Sequence, residues 1–202
     1  MIVCEGKNTE PDYFRALQAA VSDAQVRLII EPAAGVPMTI AQRSVDLASQ
    51  IRAERRKRGK VDSYEENDEV WAVFDRDEHP NFAEAVRLCE EKRISVARSN
   101  PCFEIRLILH HTDFERPDGR HAVQKRLESL CPEYDAAGGK RPDCARLIGR
   151  IEDAERRAKR QLAVREDQGR PFGPPSTTVF KLTRAIRAAA ELTQGAASRH
   201  PR

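Results

Sequence analysis

The chain has 202 residues, of which 40% are hydrophobic and 33% are charged, and its formal net charge is +3. This length is enough for one sizeable hydrophobic core, and the composition predicts a globular chain with a heavily charged surface. The small net charge of the whole chain gives no evidence for a nucleic-acid partner. Evidence for such a partner must come from local clusters of basic residues. No apolar run approaches the ~18–20 residues of a membrane span. We therefore expect a cytoplasmic protein with no membrane partner.

The chain contains five cysteines, an odd number, and they are widely spaced without any C-x-x-C pair. This pattern disfavours both a disulfide framework and a zinc ribbon. Cys4, Cys89 and Cys102 stand among apolar neighbours and are interpreted as small core residues.

The first half of the chain alternates short apolar runs with amphipathic segments. The predicted strands are 2–4, 26–32, 69–75 and 93–99. The predicted helices between them are 10–23, 38–60 and 81–92. The run 69–75 is apolar almost throughout, as a parallel strand buried on both faces should be. The alternation predicts an α/β fold, with a mostly parallel sheet flanked by helices.

The next segment, 100–111, predicts a helix opened by Asn100 as N-cap and Pro101 at its first position, with a strand as the alternative. After residue 112 the sequence predicts helices only, at 122–130, 144–164 and 176–192. The last of these is expected to be capped by Ser176 or Thr177. We expect an α/β core over 1–112, a helical extension packed on it over 113–192, and a disordered tail over 193–202.

Acidic residues follow two of the predicted strands. Glu5-Gly6 comes after the first strand, Asp75 ends the strand at 69–75, and Asp77 follows it. In an open parallel sheet, functional groups gather at the carboxyl ends of the strands. Converging carboxylates repel one another, and a divalent cation such as magnesium would relieve that repulsion. The structural alternative is that Asp75 caps a helix and Glu5 pairs with an arginine.

A Glu-Gly after the first strand and a D-x-D after a later strand resemble the signature of the Toprim fold. Four blocks of the chain also resemble, in order, those of the RloB family: VCEGKNTEPDYFRAL, DEVWAVFDRDEHPNF, SNPCFEIRLILHH and PSTTVFKLTRAI. RloB-like proteins are small Toprim-related proteins linked to bacterial restriction and abortive-infection loci. The resemblance implies a Toprim-like fold, a nuclease-type site that uses Mg²⁺ or Mn²⁺, and a role in phage defence.

The resemblance also implies roles for individual residues. Glu5 matches the Toprim glutamate, a general acid/base or second-metal ligand, and Asp75 and Asp77 match the metal-binding pair. Glu104 is expected to be a further metal ligand or to orient a water. Arg106 departs from the family pattern, in which that position is apolar, and we interpret it as a local surface difference.

Other residues near these motifs could contact phosphate. Lys7 follows Glu5, and His79 follows the D-x-D; each is equally consistent with an ordinary surface side chain. Ser99 and Asn100 precede a predicted helix N-terminus, which is an anion site or a plain N-cap.

Two basic runs predict contact with a nucleic-acid backbone. Residues 52–60, which include Arg55, Arg56 and Arg58, hold six Lys/Arg in nine positions, and 156–165 hold five in ten. The alternative is a solvated helix end, where positive charge suits the helix dipole.

The sequence therefore predicts a metal-dependent nuclease acting on DNA or on RNA, including tRNA. Topoisomerase action is not expected, because its nucleophilic tyrosine normally lies on another domain. The alternative is a non-cleaving regulatory subunit of a defence system that binds nucleic acid or a nucleotide. A protein encoded at the same defence locus is a further candidate partner, and the oligomeric state is open.

Overall fold

A computed structural model describes residues 1–21, 30–31, 35–59, 69–76, 79, 81–137, 139 and 141–198. The strands are β1 (Ile2–Cys4), β2 (Ile30–Glu31), β3 (Trp71–Asp75), β4 (Ser95–Asn100) and β5 (Ser176–Thr177). The helices of the core are α1 (Thr9–Val21), α2 (Pro37–Arg58), α3 (Phe82–Glu91) and α4 (Glu104–His111). The helices of the second half are α5 (Arg120–Leu130), α6 (Cys144–Ile148), α7 (Ile151–Asp167) and α8 (Val179–Ser198).

Within the described residues, the strands form one sheet in the order β2-β1-β3-β4-β5. The first four strands in that order are parallel, and β5 runs antiparallel to β4 at the edge. The prediction of an α/β fold with a mostly parallel sheet is confirmed, and the arrangement is consistent with a Toprim-like or Rossmann-like fold. The chain leaves β1 towards β2 and later returns to β3 on the other side of β1. The topological switch point, where α/β folds usually bind ligands, therefore lies between β1 and β3.

The two faces of the sheet carry separate hydrophobic clusters because side chains alternate along each strand. Val3, Ala72 and Phe74 pack on the face that is covered by α2 and α3. Ile2 and Val73 pack on the opposite face, with α1 and the helices from α4 onward. This second cluster is the larger one and contains the apolar side chains of the C-terminal helices.

Two predicted helix starts are strands instead. Asn100 is the last residue of β4 and pairs with Ser176 of β5, so α4 begins only at Glu104 with Phe103 at its N-cap. Ser176 and Thr177 form β5, although the Thr177 hydroxyl still accepts a hydrogen bond from the Val179 amide (3.3 Å). Local sequence could not show this because each short strand is completed by a partner far away in the chain.

Other element bounds also differ from prediction. The predicted helix 144–164 is divided into α6 and α7 at Gly149 and Arg150, and α7 extends to Asp167. The helix α8 continues to Ser198, through part of the predicted tail, and 199–202 lie outside the described residues. Of the predicted strand 26–32, only Ile30–Glu31 is described as a strand. No helix among the described residues is both long and apolar enough to cross a membrane.

Arg106 is fully buried, so its interpretation as a local surface difference is wrong. Its Nε donates a hydrogen bond to the Tyr13 hydroxyl (3.0 Å), and its Nη2 donates to Thr183 Oγ1 (3.4 Å). The Tyr13 hydroxyl also lies 3.0 Å from His110 Nε2. Arg106 therefore joins α1, α4 and α8 through a buried polar network. All five cysteines are buried and unbridged.

Candidate functional site

The first two acidic strand ends lie together at the switch point. Glu5 follows β1 and Asp75 is the last residue of β3, and these strands pair in parallel with Cys4 opposite Val73. The Asp75 amide donates a hydrogen bond to Glu5 Oε2 (3.3 Å). The predicted convergence of the two strand ends is therefore present in the structure for Glu5 and Asp75.

Two further carboxylates reach the same place. Glu10, in the first turn of α1, and Glu104, the first residue of α4, line a cavity of about 370 Å³ together with Glu5 and Asp75. We term this cavity the acidic pocket. Glu10, Asp75 and Glu104 are all buried, with 3–6% of their surface exposed. Buried charges of one sign are costly and need compensation.

Gly6 is required for the position of Glu10. The Gly6 amide donates a hydrogen bond to Glu10 Oε1 (3.2 Å), and a Cβ at Gly6 would lie 1.9 Å from Glu10 Oε2. Any other residue would displace this carboxylate. The absence of a side chain at Gly6 therefore makes room for Glu10.

Glu104 is oriented by the helical extension. Its Oε1 accepts a hydrogen bond from the Tyr134 hydroxyl (2.8 Å) and another from Gln124 Nε2 (3.3 Å). Tyr134 and Gln124 are themselves buried. The second half of the chain therefore fixes one of the predicted metal ligands.

Two carboxylates of the acidic pocket, Asp75 and Glu10, have raised pKa values. Burial raises the pKa of Asp75 well above its usual range, and the negative charges of Glu10, Glu104 and Glu5 raise it further. Burial also raises the pKa of Glu10 to about 7, with Glu104 and Glu5 adding to the effect. Arg120 acts in the opposite direction on Asp75, from Nη2 at 3.4 Å from Asp75 Oδ2.

Sequence reasoning did not identify Glu10 or Arg120 as site residues. Glu10 could have been recognised as a site residue. It lies in the motif VCEGKNTEPDYFRAL, four positions after Gly6, in a helix turn that faces the end of β1. Arg120 offered none, because it is 45 residues from Asp75 and reaches it only through the packing of α5.

A family model described as RloB-like protein matches residues 1–186. The chain belongs to the RloB-like family. No curated protein and no solved structure matches it.

The donor set of this RloB-like protein suits a hard divalent cation, because carboxylate oxygens are the ligands that magnesium prefers. A cation would also relieve the repulsion that raises the pKa of Asp75 and Glu10. Within the described part of the chain, however, no group of three His, Cys, Asp or Glu side chains is arranged to hold a metal ion. Asp77, one of the predicted ligands, lies outside the described residues.

Of the residues predicted to contact phosphate, Lys7 and His79 lie at or beside the acidic pocket, and Ser99 and Asn100 lie in β4. Lys7 is exposed at the acidic pocket, and His79 Nε2 lies 3.6 Å from Glu5 Oε1. Ser99 Oγ lies 3.1 Å from Thr177 Oγ1, and Asn100 Nδ2 donates to the Phe172 carbonyl (2.7 Å). Since Ser99 and Asn100 lie in β4 and have internal partners, they are not the opening of a helix as predicted.

The basic run of α2 lies near the amino ends of the strands, opposite the acidic pocket. Arg55 lines a groove with Val70 and Ser95, which are at the amino ends of β3 and β4, whereas the acidic pocket is at the carboxyl ends. It stays a prediction that Arg55, Arg56 and Arg58 contact nucleic acid. A single ligand would have to extend from one end of the strands to the other to reach both this run and the acidic pocket.

The basic run of α7 is largely committed to internal contacts. Arg157 Nη1 donates to the Leu109 carbonyl (2.7 Å), and Arg165 pairs with Glu115 (2.6 Å). Arg160 pairs with Asp113. These arginines attach α7 to α4 and to the segment after it, which gives them a structural role.

Proposed function

We propose that this RloB-like protein is a nuclease-type phosphodiesterase that cleaves nucleic acid with Mg²⁺ or Mn²⁺. The observation that carries the proposal is the acidic pocket, where four buried or half-buried carboxylates meet at the switch point of the sheet. A protein that only binds a polyanion gains nothing from clustered negative charge. A protein that binds a divalent cation requires it.

Asp75 and Glu5 are the central ligands in this proposal, with Glu10, Glu104 and Asp77 as further oxygen donors. A bound cation would polarise the scissile phosphate and stabilise the leaving oxygen. Two carboxylates are sufficient for magnesium, which usually keeps several of its waters. Arg120 would limit the net negative charge beside Asp75, and Lys7 at the exposed rim would contact a phosphate oxygen of the substrate.

The biological setting is part of the same proposal. Family membership, together with the resemblance of the E-G and D-x-D motifs to Toprim proteins, supports a role in bacterial anti-phage defence. In that setting a cytoplasmic location and a partner protein from the same locus are expected.

One observation favours a second candidate, a nucleic-acid- or nucleotide-binding subunit that does not cleave. The described carboxylates have protein partners already, since Arg120 pairs with Asp75 and Tyr134 donates to Glu104. A subunit of this kind would keep those contacts and show no metal-dependent cleavage.

The test uses the wild-type protein and Asp75→Asn on a panel of duplex DNA, single-stranded DNA, RNA and tRNA, with Mg²⁺, Mn²⁺ or EDTA. We expect metal-dependent cleavage of at least one substrate and a metal-induced rise in melting temperature for the wild type. Asp75→Asn should lose both. Because it removes one of several repelling carboxylates, it should melt no lower than the wild type without metal.

Asp46→Asn is the matched control, since Asp46 is exposed on α2 and accepts a hydrogen bond from Gln42 in the same helix. It should retain cleavage and the metal response. A wild type with no metal-induced shift and no cleavage would favour the binding subunit. An Asp75→Asn variant that melts clearly lower without metal, yet keeps its metal response, would show that Asp75 is structural.

A further inference from the structure

A second cavity, of about 530 Å³, lies beside the acidic pocket at the carboxyl ends of β3 and β4. Arg76 lines it directly after β3 and Arg98 lines it from β4. Phe82 lines it from the start of α3, and Phe172 from the segment before β5. We term it the arginine pocket. His79 also lines it and lies 3.6 Å from Glu5 of the acidic pocket, so the two cavities are neighbours.

The arginine pocket carries positive charge from two guanidinium groups, those of Arg76 and Arg98. Among the described residues, neither Arg76 nor Arg98 forms an ion pair with a carboxylate, and the guanidinium of Arg98 lies on the Phe172 ring, 3.3 Å from its centroid. Burial lowers the pKa of Arg98; Glu90 offsets part of this effect, and Arg76 adds to it by repulsion. Two neighbouring guanidinium groups that repel each other favour an anionic ligand between them.

The other part of the wall is apolar and held in place. The Phe82 ring packs edge-on against Phe74, with centroids 5.5 Å apart, and Val86 of the same helix is buried beside it. Phe172 has a φ of 66°, an unusual conformation for a residue other than glycine, and its carbonyl accepts the hydrogen bond from Asn100. The aromatic wall is therefore built before any ligand arrives.

We propose that the arginine pocket binds one nucleotide unit, with the phosphate at Arg76 and Arg98 and the base against Phe82 and Phe172. A nucleotide combines an anion with a flat aromatic group, which are the two properties that this wall complements. The cavity is within the ~300–1,000 Å³ usual for small-ligand sites, and inorganic phosphate would fill little of it.

The inference deepens the proposed function and rests on it for the role of the ligand. Next to the acidic pocket, the bound unit is the nucleotide adjoining the phosphodiester to be cleaved. The same chemistry could be presented by a free nucleoside monophosphate or by a nucleotide within a strand.

Calorimetry in EDTA tests the inference with AMP, UMP, adenosine, inorganic phosphate and a tetranucleotide with or without a 5′-phosphate. We expect the nucleoside monophosphates or the tetranucleotide to bind at least about tenfold more tightly than adenosine or phosphate alone, since both halves of the pocket then contribute. Preference for the monophosphates indicates a free nucleotide as ligand, and preference for the tetranucleotide indicates a strand.

Arg98→Gln and Arg76→Gln should each weaken that binding by about tenfold or more, as the loss of one charged contact predicts. Arg76 is exposed, so its variant tests the pocket even if Arg98→Gln folds poorly. Arg87→Gln is the matched control, because Arg87 is exposed on α3 and pairs within the helix with Glu91. Its binding should equal that of the wild type.

Binding in EDTA separates this inference from the proposed function. Nucleotide binding that Arg76→Gln weakens, in a protein that never cleaves, would sustain the inference and overturn the nuclease. Cleavage by a protein whose nucleotide affinity is unchanged in Arg76→Gln and in folded Arg98→Gln would overturn the inference alone. Absence of binding by every nucleotide probe would overturn it as well.

Discussion

At the scale of single residues, the carboxylates of the acidic pocket destabilise the folded state. Glu10 and Asp75 are buried beside other carboxylates, and their pKa values are raised because the charged form loses hydration and gains repulsion. A strand end with a structural role would avoid this cost by using one carboxylate with a close cation. Here Arg120, with Nη2 at 3.4 Å from Asp75 Oδ2, offsets part of the repulsion, and the pKa of Asp75 remains raised.

This cost predicts how stability depends on pH. The pKa of Glu10 rises from an ordinary 4.5 to about 7 on folding, so its contribution favours the folded state most below pH 4.5 and is lost as pH rises to about 7. Glu10→Gln keeps the acceptor for the Gly6 amide and removes the charge. We expect the variant to be more stable than the wild type at pH 7.5, by on the order of 2 kcal/mol, and of similar stability at pH 4.5.

Urea denaturation in EDTA across this pH range measures the effect. Glu84→Gln is the control, because Glu84 is exposed in the first turn of α3. If the stability of Glu10→Gln and of the wild type changed with pH in the same way, the burial of Glu10 would not destabilise the folded state as predicted.

At the scale of elements, positive charge at a helix end has two different uses in this chain. The arginines of α7 pair with acidic residues after α4 and fasten one helix to another. The last turn of α2 holds Arg55, Arg56, Lys57 and Arg58, where positive charge also suits the helix dipole. Its position at the amino ends of the strands separates it from both pockets.

We predict that the end of α2 contributes nonspecific affinity for nucleic acid. The triple variant Arg55→Gln, Arg56→Gln and Arg58→Gln should weaken binding to all sequences and reduce the slope of log affinity against log salt by about 2–3. Cleavage of a short oligonucleotide that reaches only the acidic pocket should be unaffected. Salt titrations of binding measure the slope, with Arg87→Gln as control. An unchanged affinity and slope would show that the run is only a solvated helix end.

At the scale of the whole molecule, the helical extension completes both pockets. Arg120 and Tyr134 contact carboxylates of the acidic pocket, and Phe172 forms a wall of the arginine pocket. The extension also supplies a large part of one hydrophobic cluster, including Leu127, Ile148 and Leu182. The sheet is closed at one edge by β5 from the same region.

We therefore predict that a fragment of residues 1–112 does not fold independently. It would expose the apolar face that the extension covers and leave the buried charges of Glu104 and Asp75 without Tyr134 and Arg120. Circular dichroism and amide NMR spectra should show loss of the cooperative transition seen for the full chain. Adding residues 113–198 as a separate chain should restore it. A fragment that melts cooperatively alone would make the extension a separate unit.

The sequence by itself determined the alternating part of the fold and the meeting of Glu5 with Asp75. Hydrophobic runs of β1, β3 and β4 predict parallel strands, and parallel strands bring their carboxyl ends to one edge. The blocks that resemble the RloB family predicted the family to which the chain belongs. These inferences succeed because they depend on local pattern and on a general rule of sheet geometry.

Only the tertiary structure decided the rest of the site. Arg120 reaches Asp75, and β5 extends β4, across long sequence separations that no local pattern encodes. Arg106 is buried because α1 and α8 cover it, although its position on an apolar helix was clear from the sequence. The sequence sets which side chains are present at each strand end, whereas packing between distant elements sets which of them share a pocket and how their charges are compensated.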